Sequence, residues 1–372
     1  MPTTETPSTP TSKPKPKPIT IALIIAVALL IIGGGTFVVI RFVLGGDEDT
    51  WICEDGSWAE HGKPTAEKPT SGCGTEDTAS LEPQTEDIVY QQETAPMPEW
   101  ISSGPNADTG PWNEDVYIAY SEDGTTFTEN KLFVPHAGVA NLWLTTDGAL
   151  IATMQYFSFT NEAYFDKIAY TVSEDNGLTW STLTEIQFEG LHEPTKGGPN
   201  AVDPTLVQLP DGTFRLYFTF ESPGDGFPQL YSAAADTIDE VFVNEGKQLT
   251  IDEIVLDPTV IYFDGTWHHY TTTQNPPQNN TLTNVHSTSA TGLDFTRQED
   301  IVLPMSMLGG VIAEGDMLRF YGCWNGIKSA TSTDGFTWTM DPGTRVDQGA
   351  DPGIAKLPDG SYVMVYTEIH KD

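Results

Sequence analysis

An all-β fold of five blades closed into a ring is predicted for most of this 372-residue chain. Three observations predict it. The chain holds 34 Gly and 27 Pro, with aromatics at 10%, a composition of short strands and turns rather than long helices. Two kinds of strand-and-turn unit recur five times each, which is the signature of a repeat architecture. Their order leaves the last unit without a partner unless the first supplies it.

The chain opens with residues 1–18, "MPTTETPSTPTSKPKPKP", too rich in Pro and Thr to bury a core and expected to be a disordered cytoplasmic tail. Residues 19–44 read as a transmembrane helix. Within them Ile19 to Ile40 is uncharged and mostly Ile, Leu, Val and Ala, enough to cross a hydrocarbon layer of roughly 30 Å. Lys13, Lys15 and Lys17 precede this run, and Asp47, Glu48 and Asp49 follow it. The positive-inside rule then keeps the N-terminus in the cytoplasm, although Arg41 lies on the outer side. A cleaved signal peptide is the alternative, but no A-x-A-like site follows. The expected location is the cell membrane, single-pass, with everything after about residue 45 outside.

Residues 45–111 read as an extracytoplasmic stalk. Cys53 and Cys73 bracket "CEDGSWAEHGKPTAEKPTSGC", a segment too short to build a core, where an exported chain would use a disulfide. Zinc is the weaker reading, since His61 adds only one imidazole to two thiols. Cys323, alone in "LRFYGCW", is expected to be a buried apolar residue.

From residue 112 to 372 the two units alternate. One is a hairpin, with turns "TTDG" at 145, "LPDG" at 209, "YFDG" at 262, "AEGD" at 313 and "LPDG" at 357. Their acid-glycine pairs supply the positive φ that tight hairpins need. The other is a strand ending in a Ser-x-Asp-Gly-like turn and an aromatic: "SEDGTTF" at 121, "SEDNGLTW" at 173, "SATGLDF" at 289 and "STDGFTW" at 332, with a worn copy, "AADTIDEVF", at 234. The region begins with a second unit near 116–130 and ends on an unpaired hairpin, "GIAKLPDGSYVMVYTE". Pairing the two closes a five-bladed β-propeller of four-stranded blades and hides the sheet edges.

"SEDNGLTW" is similar, in every fixed position, to the Asp-box of sialidases and related propellers. "VDPTLVQLPDGTFRLYFT", "LDPTVIYFDGTWHHYTT" and "ADPGIAKLPDGSYVMVYTE" resemble blade openings of the five-bladed glycoside hydrolases of the arabinanase, β-xylosidase and fructosidase type. The resemblance implies a glycan-active propeller in which two such Asp act as base and pKa modulator, with a Glu from a further blade as acid. Ser173, Asp175, Gly177, Thr179 and Trp180 are expected to be structural, holding outer strands together.

In a propeller the first strand of each blade lines the central channel, so Asp203, Asp257 and Asp351, each followed by Pro, should point into one funnel. Each Pro favours an extended residue before it and a rigid strand entrance. Crowded carboxylates push their pKa values apart, as glycosidic chemistry requires of a base and an acid. The same aspartates could instead cap strand entrances through backbone hydrogen bonds. No Glu stands at the blade opening after Asp257, where the chain reads "MLGGVIAEG" with Gly309 and Gly310. Glu314 belongs to the opposite face. The acid is sought in Glu221 and Glu368, near the ends of second strands, or Glu193 in "GLHEPTKGGPN".

A net charge of −36 excludes nucleic acid as a partner. The expected partners are carbohydrate or a cell-surface glycan and, through the N-terminal helix, the membrane. No cofactor is expected, and the sequence leaves bound metal undecided. Sialic acid is disfavoured, because Arg215, Arg297, Arg319 and Arg345 form no evident carboxylate-gripping triad. His136, His192, His268 and His269 read as ordinary strand histidines, and adjacency puts His268 and His269 on opposite faces. Trp112, Trp143, Tyr156 and Trp324 would stack on sugar or fill blade interfaces. "NNT" at 279 matches a glycosylation sequon. The competing function is a non-catalytic propeller for carbohydrate binding, adhesion or display.

Overall fold

The computed structural model describes residues 50–54, 57–61, 68, 96–104, 107–192, 200–273, 278–279 and 281–369. The disordered tail and the membrane helix expected over 1–44 lie outside these residues, as does Cys73 of the expected disulfide. No helix among the described residues is long and apolar enough to cross a membrane. The chain divides into two compact units, residues 1–84 and 85–372. In the first, Thr50–Glu54 pairs antiparallel with Ser57–His61.

The second unit carries five antiparallel sheets, and their strand order is that of a propeller. Blade 1 runs outward from Ala137–Leu144 through Leu150–Phe157 and Phe165–Ser173 to Thr184–Glu185. Blade 2 has Val202–Gln208, Phe214–Phe220, Gln229–Ala235 and Phe242–Lys247. Blade 3 has Thr259–Phe263, Thr266–Thr272, Leu282–Ser289 and Thr296–Arg297. Gly309–Glu314, Met317–Cys323, Ile327–Ser332 and Thr339–Met340 make blade 4. Blade 5 joins the two ends of the region, Ala350–Lys356 and Tyr362–Ile369 with Glu114–Ser121 and Thr128–Val134. Its seam runs in unbroken register from Tyr362 opposite Ser121 to Ile369 opposite Glu114. Two blades exceed four strands: Phe188–Glu189 adds a parallel edge to blade 2, and Ile301–Leu303 also pairs with the third strand of blade 3.

Alternation along each strand turns one side chain toward one neighbouring blade and the next toward the other. The apolar core is accordingly divided into five seams, one between each pair of adjacent blades. Around the axis neighbouring blades are also linked by polar contacts. Asn141 Oδ1 accepts from Leu206 N–H at 3.1 Å, the Thr205 hydroxyl donates to Pro258 O, Thr259 Oγ1 donates to Gly309 O at 2.6 Å, and Val139 N–H donates to Thr367 Oγ1 at 3.1 Å.

The recurrent Ser-x-Asp turns have a second task besides closing their own strands. In each, the serine hydroxyl accepts from a glycine N–H, as Ser173 does from Gly177 at 2.8 Å and Ser332 from Gly335 at 2.9 Å. These glycines have φ of 88° and 74°, in the left-handed region that a β-carbon disfavours. Their carbonyls then receive a tyrosine hydroxyl from the adjacent blade: Tyr120 to Gly177, Tyr217 to Gly292, Tyr270 to Gly335 and Tyr321 to Gly124, all at 2.7–2.9 Å. The turns therefore latch blade to blade. The worn turn in blade 2 has no serine at that place; Thr237 instead donates to Asp239 at 2.7 Å.

Blade 3 also buries three histidines. His268 Nδ1 lies 3.0 Å from His286 Nε2 with the rings 2° from parallel, and His269 has no hydrogen-bond partner for either nitrogen among the described residues. Burial pushes His269 and His286 down to about 3 and lowers His268. Below about pH 6.5 the unfolded chain takes up protons that these folded imidazoles refuse, so their contribution to stability is full above that pH and falls on acidification. Each buried histidine should cost up to about 1.4 kcal/mol per pH unit in that window. His269→Leu should therefore flatten the melting temperature profile between pH 6.5 and 4. Parallel profiles for variant and parent would refute the assignment.

Candidate active site

Asp203, Asp257 and Asp351 stand at the inner-strand entrances of blades 2, 3 and 5. Strand pairing fixes their equivalence, because Thr205 faces Tyr217, Thr259 faces Tyr270 and Gly353 faces Val365, and each aspartate lies two residues earlier. The same count lands on Val139 in blade 1 and Leu308 in blade 4. The ring thus presents three carboxyl groups and two apolar side chains around the channel. Asp203 is buried, whereas Asp257 and Asp351 keep part of their surface at the mouth.

The aspartates are not extended, as their prolines led one to expect. Their φ values are 56°, 45° and 47°, and the strand register skips after Val202 and after Ala350. A left-handed residue followed by Pro is doubly restricted, at a cost of about 1–3 kcal/mol that surrounding structure must offset. The left-handed bend belongs to the blade entrance rather than to the carboxylates, since Val139 at the same place in blade 1 has φ of 47° and its register also skips, after Gly138.

The three groups share one field. Asp203 Oδ2 accepts from Asp257 N–H at 3.2 Å, and the two carboxyl groups are hydrogen-bonded to each other. Burial raises both. Hydrogen bonds from Asp257 partly restore the charged form of Asp203, while the charges of Asp203 and Asp351 drive Asp257 well above the usual carboxylate range. Of the two, Asp257 is driven further toward its protonated form. Burial, then the charges of Glu114 and Asp203, push Asp351 up to about 7.

Glu114 was not among the sequence candidates. It begins the third strand of blade 5, and third strands start at the end of the blade where the inner aspartates sit. Its carboxylate lies over Gly138, where a β-carbon would come within 3.0 Å of Oε2, and burial raises its pKa. Asp166, with φ of 59°, is the other addition. It accepts from Gln155 at 2.6 Å and Asn200 at 2.8 Å, and its charge reaches Asp203. Cys323 is half-buried rather than sealed in the core. Burial lifts its thiol to about 11, Asp351 adds to the rise, and the Asp351 N–H donates to the sulfur.

Gly309 and Gly310 lie one and two residues past Leu308, the blade 4 counterpart of the aspartates, and neither has room for a side chain. A β-carbon on Gly309 would come within 2.3 Å of Tyr321 O and 2.9 Å of Pro352, and one on Gly310 within 2.9 Å of Pro352 O. The Asp351-Pro352 entrance of blade 5 occupies the space a side chain would need.

Glu221 follows the second strand of blade 2 and is half-buried. Glu368, also half-buried, raises the hydroxyl pKa of Tyr366, itself lifted chiefly by burial. The glutamate whose charge is felt at Asp257 and Asp351 is Glu114 rather than either of these. Glu193 lies outside the described residues. Glu314 is held between blades 4 and 5 by Arg319, Lys356 and the Tyr362 hydroxyl, a structural clasp. No group of three or more acidic, His or Cys side chains among the described residues is arranged to hold a metal.

The arginines are dispersed. Arg215 forks onto Glu245 at 2.7 and 2.9 Å, Arg297 pairs with Asp300, Arg319 with Glu314, and Arg345 donates to Thr125 O and Pro342 O. Trp143 and Tyr156 pack into blade seams, while Trp112 and Trp324 are half-buried beside strand ends at the mouth. His136 is stacked on Phe159 at 3.8 Å, and His192 lines a side cavity between blades 1 and 2.

Solved structures similar to this chain are glycoside hydrolases. One is a thermostable family-43 glycoside hydrolase, 13% identical with a TM-score of 0.48, matched over 63% of this chain and 84% of that one. Another is a family 117 glycoside hydrolase of the marine bacterium Zobellia galactanivorans, 13% identical, TM-score 0.43, over 70% and 85%. A third, an α-L-arabinofuranosidase from Lactobacillus brevis, is 14% identical with a TM-score of 0.44 over 63% and 85%. No family model and no curated protein matches the sequence. The likeness is one of fold, and the chemistry of the mouth follows from its own side chains.

Proposed function

We propose that this chain is a glycan-active hydrolase that cleaves a neutral glycoside, displayed outside the cell on an N-terminal membrane helix. The observation that carries the enzymatic reading is the convergence of Asp203, Asp257 and Asp351 from three blades on one mouth, where burial and mutual charge act on all three. Ile19 to Ile40 and the flanking charges support the anchor and the outward display.

Asp203, the member of its pair less strongly driven to hold a proton, takes one from water as the oxygen attacks the anomeric carbon. Asp351, titrating about 7, gives its proton to the departing glycosidic oxygen, which leaves as an alcohol. Asp257 keeps its proton and its hydrogen bond to Asp203. The charge of Glu114 keeps Asp351 protonated near neutrality. Glu221, Glu368 and Glu193 are the alternative donors, and substitution by Gln tests each.

The test is hydrolysis of a panel of neutral aryl glycosides by the chain from about residue 80 onward. Turnover on none of them, with glycan binding retained, would favour the adhesive propeller instead. Glu114→Gln gives a finer check. Removing its charge lowers the pKa of Asp351, so the alkaline limb of kcat/KM should move to lower pH. The shift should be on the order of one unit, the size of one charge effect over several ångströms at an effective dielectric of about 20. An unmoved limb would remove Glu114 from the mechanism.

A further inference from the structure

Beside the aspartates lies a cavity of about 220 Å³ between blades 1 and 2. Its floor is apolar and buried: Ile168, Ile186 and Phe220. Phe188 forms a wall, half-buried with its ring packed against Phe218 at 5.2 Å. The rim is polar. Lys167 has no ion-pair partner among the described residues, and Asn200 directs its amide nitrogen to both the carbonyl and the carboxylate of Asp166. The Asn200 Oδ1 atom is left without a partner among the described residues and can accept from a ligand. Asn200 and Ala201 of the lining run directly into Val202 and Asp203, so the cavity adjoins the entrance of blade 2 that carries the carboxyl group.

We infer that this cavity is a subsite for a second, uncharged sugar unit, so that the substrate is an oligosaccharide reaching from the aspartates past Asn200 into the cleft. The inference rests on the hydrolase reading above. A pyranose or furanose ring is amphiphilic in the same sense as the cavity. Its C–H face suits the Phe188 ring and the apolar floor, while its hydroxyls can meet the donor on Lys167 and the acceptor on Asn200. The volume falls below the roughly 300–1,000 Å³ of sites for drug-sized ligands, which limits it to about one ring. An anionic sugar is disfavoured by Glu185 in the lining, by Asp166 behind Asn200 and by the net charge of −36.

The experiment compares neutral oligosaccharides with aryl glycosides of the same terminal sugar, in the parent, Lys167→Met and Phe188→Ala chains, each with an unchanged melting temperature. The ratio of kcat/KM for oligosaccharide over aryl glycoside should fall about tenfold, the loss expected of one stacked ring or one hydrogen bond to a charged group. An unaltered ratio in both variants would overturn the subsite. If no glycoside is turned over, the hydrolase reading fails and the subsite is judged by binding alone. Saturation-transfer NMR with the same oligosaccharides and the Asp203→Asn chain should then show contact that Lys167→Met and Phe188→Ala weaken. Absence of binding, or binding insensitive to both substitutions, would discard the subsite as well.

Discussion

Asp203→Asn should lower turnover of the best aryl glycoside by on the order of 10²–10⁴, the range carried by a positioned base. The substitution is nearly isosteric, and Asn is one of the few residues that tolerate a φ of 56°. Its amide oxygen can still accept from Asp257 N–H. What disappears is the negative charge that takes the proton from water. That charge also helps to hold Asp257 and Asp351 protonated, so both should ionise more readily in the variant. Because crowded buried carboxylates oppose folding at neutral pH, the melting temperature at pH 7 should stay level or rise. Initial rates and a thermal melt on the same preparation check both halves. Activity within a few-fold of the parent would remove Asp203 from the chemistry.

Much of the placement of these side chains was legible in the sequence. The order of the repeat units required the last hairpin to find the first unit, and blade 5 is that pairing. Once blades are set around an axis, Asp203, Asp257 and Asp351 fall at equivalent entrances, since one blade length separates one from the next apart from the blade that has Leu308 instead. Glu114 was also within reach, because the split blade makes "NEDVYIAY" a third strand whose start shares the mouth. Other features could not be read. The left-handed aspartates contradict the local preference set by proline, and only the register skips and the neighbouring strands impose them. The tyrosine latches join residues 57 to 197 positions apart, a distance over which sequence pattern is silent. Phe188–Glu189 and Ile301–Leu303 are too short to show any period. Cys323 looked apolar because its strand is apolar, yet it lies next to Asp351 at the end of that strand.

Ring closure itself predicts the largest effect on stability. A chain ending at Leu357 should lose cooperative folding of the whole propeller, although it keeps four intact blades. The missing strand, Tyr362–Ile369, joins the inner strand of blade 5 to its two outer strands. Its side chains alternate between two seams: Val363 and Val365 fill the one toward blade 1, and Tyr362, Met364 and Tyr366 the one toward blade 4. At about 1.5–3 kcal/mol for each buried side chain, their loss is on the order of 10 kcal/mol. A domain of this kind is stable by only about 5–15 kcal/mol. Opening the ring also bares two sheet edges, an invitation to aggregate. The shortened chain should therefore show no sharp melt by circular dichroism and should bind a hydrophobic dye that the full chain does not. Met364→Ala gives a graded version, with an expected cost of about 2–5 kcal/mol. A truncated chain that melted at the temperature of the full one would mean that each blade stands without its neighbours. The aspartates of blades 2, 3 and 5 would then have no rigid frame to hold them face to face.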